Sequence, residues 1–236
     1  MTCPSVNVLF WRVTRSKFAT LRCPMITRPL EFPNGIRLAR LEEIPGPEPD
    51  RSAAWERIMR SHIVPGFTVA DSSSDVRFRY YAEINVDASQ IWEVFRDLCA
   101  GLLTDPAALL AGDDEDIEPH KVAQTDVPAL LRALAPYHYQ LAHDGFLQFA
   151  LVSDHADQIA EVLVTPTKHF KVWLNDIALF RAIMEHHEIR ERAKMEFIDE
   201  YPRVTTRLPE GNAVVADPEI LWRDIADLVT GAPLMQ

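Results

Sequence analysis

Glycine is scarce in this chain: eight residues in 236, none of them grouped. Neither GxGxxG nor GxxxxGKS/T occurs, so a backbone cradle for nucleotide phosphates has nothing to be built from. The GxSxG elbow of acyl-transfer enzymes is missing too, and so is HExxH. Cysteine is rarer still, at Cys3, Cys23 and Cys99. An odd count without paired spacing excludes a disulfide framework and a cysteine-based zinc site, and it suits a reducing cytoplasm. No apolar run approaches the ~18 residues that a membrane span needs. These absences remove the common nucleotide-using, acyl-transfer and membrane-spanning classes, and no cofactor is expected.

Positive charge is also in short supply, and it is unevenly spread. The net charge is -11, with 24 Lys and Arg against 35 Asp and Glu. Residues 1–40 hold seven of the basic side chains (Arg12, Arg15, Lys17, Arg22, Arg28, Arg37 and Arg40) and one acid, Glu31. The remainder keeps 17 basic and 34 acidic residues, a net of -17. So acidic a body repels phosphate backbones and favours a basic partner. Residues 1–24 carry no acid at all. They are expected to be a disordered basic arm, or sequence read from an early start codon ahead of Met25. Residues 25–236 are expected to form a single α+β domain.

What the chain does have is periodicity. Residues 76–84 alternate, with Val76, Phe78, Tyr80, Ala82 and Ile84 on one side and Arg77, Arg79, Tyr81 and Glu83 on the other. That pattern predicts a half-buried strand. Asp87 and Gln90 are expected to form a capping box for the next helix, whose stripe is Ile91, Val94, Phe95, Leu98 and Leu102. The stretch 163–189 repeats the order of strand, cap and helix. Strands at 146–152, 159–164 and 169–174 read as a meander, and Asn175 or Asp176 caps the helix that follows. A turn at 33–35 precedes a short strand, and the prolines of 44–49 read as a stiff connector. Trp55, Ile58, Met59, His62 and Ile63 have helical spacing up to Pro65-Gly66. Asp105-Pro106 is expected to open a short helix that Gly112 closes. The helix beginning at Asp126 should split at Pro136, and a last helix runs from Asp217 to Gly231. The sum is an α+β fold, a largely antiparallel sheet packed against amphipathic helices, with two related strand–helix halves.

Three groups of residues could carry function. Asp113, Asp114, Glu115, Asp116 and Glu118 form an acidic loop suited to docking a basic protein. Arg79, Tyr81, Lys171 and Trp173, with Arg77 and His169 beside them, form an exposed aromatic and basic strand face of the kind enriched at interface centres. His138, His143 and His155, near Asp144 and Asp157, are the candidate metal ligands, although no local spacing brings them together. His186-His187-Glu188 offers donors as well, but adjacent helical side chains diverge by ~100°. The functional expectation is a non-catalytic cytoplasmic protein that binds another protein, in the manner of an immunity or inhibitor protein neutralising a basic toxin. The alternative is a metal-dependent hydrolase built on the histidines and neighbouring carboxylates.

Overall fold

The computed structural model describes residues 28–72, 76–113, 120–209 and 215–231. The arm at 1–24 and the acidic positions Asp114, Glu115, Asp116 and Glu118 lie outside the described residues. In chain order the elements are β1 (Ile36–Leu38), α1 (Glu48–Met59), β2 (Gly66–Asp71), β3 (Tyr80–Asn85), α2 (Ile91–Leu102), β4 (Ala107–Asp113) and β5 (His120–Thr125). Then come α3 (Val127–Leu134), α4 (His138–His143), β6 (Leu147–Asp154), β7 (Ile159–Val164), β8 (Phe170–Leu174), α5 (Ile177–His186), β9 (Arg203–Thr205) and α6 (Pro218–Thr230). Seven strands form one sheet in the order β2-β3-β8-β7-β6-β4-β5, and every neighbouring pair is antiparallel. The expected α+β class, with a largely antiparallel sheet against helices, is what the chain adopts.

Local chemistry explains where the helices begin and stop. The Asp126 carboxylate accepts from the Ala129 N–H at 2.7 Å and opens α3. Pro136 removes a donor, so the helix tightens into a single 3-10 turn at Ala135–Tyr137 before α4 resumes. Asp176 caps α5 through the Leu179 N–H, and Asp217 caps α6 through Glu219. Gly231, at φ 71°, ends α6 in the left-handed conformation that glycine tolerates best.

The two similar strand–helix stretches lie side by side. β3 and β8 are antiparallel neighbours centred on Ala82 opposite Val172, and the helices that follow them, α2 and α5, pack together. A Cβ added at Gly101 of α2 would sit 2.9 Å from Ile183 Cδ1, so glycine permits that close approach. The main core lies between one face of the sheet and α2 to α6. Phe95, Phe149, Phe170 and Phe180 are its largest fully buried apolar side chains. A second cluster of Ile36, Ala39, Ile44, Ile58, Ile63, Ile198 and Tyr201 gathers α1 and the β1–β9 pair. The outward N–H of Phe67 on β2 donates to Arg190 O at 2.9 Å, and Phe67 O accepts from the Arg192 N–H at 2.8 Å.

Several expectations are corrected. The stretch 105–112 is not a helix: Ala107, Leu109 and Ala111 are buried at alternate positions of β4, which pairs with both β5 and β6. Alanine and leucine favour helices locally, but strand neighbours on both sides prevail. Only the second half of 76–84 is paired, and Val76 is 43% exposed. The proline connector already contains the first turn of α1, with Pro49 at the start of the helix where a missing N–H costs nothing. Met59 is then 67% exposed, while Ile63 is buried beyond the end of that helix. Asp87 does not cap. Its buried carboxylate accepts from Arg28 Nη2 at 2.5 Å and from the Glu31 N–H at 2.9 Å.

Candidate functional site

Strand alternation gives the large sheet two unlike faces. Ala82, Ile84, Phe170, Val172 and Val162 point to the helices and are fully buried. Tyr81, Glu83, Lys171, Trp173, Glu161 and Leu163 point the other way and are half-buried. Neither hydrophobic cluster includes a side chain from that second face, and each of α1 to α6 buries its stripe in one of the two clusters. Among the described residues, none of α1 to α6 therefore buries its stripe against the second face.

Register arranges this face into rows. Tyr81 stands opposite Trp173, and Trp173 stands opposite Glu161 on the next strand. The Tyr81 and Trp173 rings are 5.3 Å apart and tilted by 50°, an offset contact of the favourable kind. In the adjacent row Glu83 faces Lys171, which faces Leu163. Tyr81 Oη donates to Glu83 Oε1 at 2.9 Å. Burial, and then this carboxylate, push the phenol pKa well above its ordinary value. Glu161 differs from Glu83. Burial raises its carboxyl pKa, and no cation or hydrogen-bond donor among the described residues offsets that burial.

No family model, curated protein or solved structure matches this chain.

The sequence candidates therefore stand on position alone. Tyr81, Lys171 and Trp173 share one face, as alternation requires. Arg79 precedes β3 and is exposed at the sheet rim near Asp157, Asn175 and Asp176. Arg77 pairs with Asp154 at 2.5 Å. His169 is not on the exposed face: it belongs to the turn before β8, 5% exposed, with Nδ1 3.0 Å from Thr165 Oγ1 and 3.1 Å from Thr167 Oγ1. Its burial lowers the imidazole pKa. Asp113 closes β4, and the rest of the acidic loop lies outside the described residues.

The candidate metal ligands are engaged separately. His138 Nδ1 lies 3.0 Å from Ala135 O, His143 Nδ1 accepts from the Asn34 N–H at 3.2 Å, and His155 Nε2 lies 2.8 Å from Thr104 Oγ1. Each ring has a local structural partner, and none of the three belongs to a group of three donors among the described residues. Glu161 escapes a reading of the sequence, because a glutamate in an alternating strand normally marks a solvated position.

One buried cation lies at the end of the sheet. Lys168, in the β7–β8 turn, has φ 62° and is 2% exposed. Its Nζ donates to Leu147 O at 2.5 Å. Burial lowers its pKa to about 7, against the opposing pull of Asp144.

Proposed function

We propose that this chain is a non-catalytic binding protein and that the second face of its sheet receives a basic segment of another protein. The observation that carries the reading is Glu161, a half-buried carboxylate next to Trp173 with no cation beside it among the described residues. A carboxylate held partly out of water without a partner is destabilised. A lysine or arginine from outside would relieve that cost and lie over the Trp173 and Tyr81 rings at the same time. The acidic balance beyond residue 40, a net of -17, steers such a partner in. A face centred on aromatic rings suits a macromolecule better than a small substrate. An immunity or inhibitor protein that neutralises a basic toxin is the form of this reading that the charge suits best.

The test is affinity capture from native lysate with wild-type bait beside Trp173→Ala and Glu161→Gln baits. A basic protein retained by wild type, released as salt rises and lost from both variants is the expected result. Retention equal on all three baits, or an acidic captured protein, would remove this face from the mechanism.

A further inference from the structure

The reach of α2 toward the end of α5 gathers three side chains that are distant in sequence. Asp97 comes from α2, His186 is the last residue of α5, and His187 is the first residue beyond it. His187 has left the helix, at φ -88° and ψ 9°, and Glu188 turns left-handed at φ 58°. The expected divergence of neighbouring helical side chains does not keep the two rings apart. The two imidazoles lie 5.1 Å apart at 77°, and both approach Asp97.

We propose that Asp97, His186 and His187 form a binding site for a single zinc-class divalent cation. Their ligand atoms all lie within 4.8 Å of one another, and they are the one such three-donor group among the described residues. His187 Nε2 is 3.0 Å from Asp97 Oδ2. Zinc bonds of 2.0–2.1 Å in a tetrahedron place donors about 3.4 Å apart, so this pair already has nearly the right spacing. His186 is exposed, so rotation of its side chain closes the remaining gap.

The surroundings hold the donors in place. Arg96 Nε donates to Asp97 Oδ1 at 3.0 Å, which occupies one carboxylate oxygen and aims the other at the histidines. Gly101, one turn along from Asp97, lets α2 lie close against α5 beside Ile183. Two imidazoles with one carboxylate favour zinc, nickel or copper over magnesium or calcium, which prefer oxygen alone. With three protein donors, a fourth position remains for water. This site lies on the helix side of the sheet and does not depend on the proposed binding face.

The experiment uses the full chain, stripped of metal, in competition titrations of zinc against a chromophoric chelator. Cobalt absorption spectra report the coordination geometry. Wild type is expected to take up one equivalent and to melt at a higher temperature with zinc than without. His186→Gln and Asp97→Asn should weaken binding tenfold or more and abolish the zinc-dependent rise in melting temperature. His186 makes no hydrogen bond or ion pair among the described residues, so its variant should melt like wild type without metal. It therefore keeps the test valid if Asp97→Asn fails to fold. A Cys3→Ser, Cys23→Ser double variant should bind as wild type does. Zinc affinity of His186→Gln within twofold of wild type, or no zinc retained by wild type, would overturn the proposal and leave His187–Asp97 as a hydrogen bond only.

Discussion

β3 and β8 each serve two environments at once. Toward the helices, Ala82, Ile84, Phe170 and Val172 are 0% exposed, and no charged side chain stands among them. One residue away along the same backbone, Tyr81, Glu83, Lys171 and Trp173 combine rings with charges and stay half-open. Because the side-chain period is two, a one-residue register slip would exchange the two faces, whereas a point substitution alters only one of them. The contrast teaches that the covered face and the open face can be altered separately.

The largest expected effect comes from breaking the covered face. Phe170→Ala should cost about 3–5 kcal/mol in urea unfolding, while Trp173→Ala, next to Lys171 on the other face, should cost about 1 kcal/mol. Equal losses would mean that the second face is packed after all. Next comes Lys168, where the separation of charge from core fails. Its folded-state pKa of about 7 lies below the ordinary lysine range, so above that value the unfolded chain binds more protons than the folded one. Stability should therefore rise with pH from about 7 toward 10, by at most about 1.4 kcal/mol per unit, and Lys168→Met should flatten the slope. A wild-type slope that survives in the methionine variant would show that another group is responsible.

The smallest effect sharpens the comparison. Burial raises the Glu161 pKa, so its contribution to stability is present in acid and is lost as pH rises through the folded-state value. Glu161→Gln should match wild type in acid and melt slightly higher at neutral pH. A lower melting temperature at neutral pH would reveal a partner for the carboxylate and take away the observation behind the proposed binding face.

What sequence can reveal tracks what is local. Caps at Asp126, Asp176 and Asp217 each act within three residues, so the residue order alone locates the first and last and narrows the other to Asn175 or Asp176. The meander is legible because its strands alternate between clear turns. Residues 66–71 are not, since Pro65-Gly66 reads as the end of a helix and says nothing about the strand it opens. Residues 105–112 read as a short helix because Asp105-Pro106 opens and Gly112 closes one, and only pairing with β5 and β6 overrules that signal. The same limit applies to sites. Tyr81 and Trp173 can be grouped from the echo in the sequence, whereas Asp97 meets His187 only because α2 and α5 pack.

The hydrogen bonds between Phe67 and residues 190–192 bear on how the protein behaves when concentrated. An outer strand with vacant N–H and C=O groups is a template for fibril growth. At Phe67 that template is already filled from within the chain, so an incoming strand finds no partner there until the 190–192 segment peels away. Strand addition at Phe67 then requires this segment to open locally, which need not involve unfolding of the whole domain.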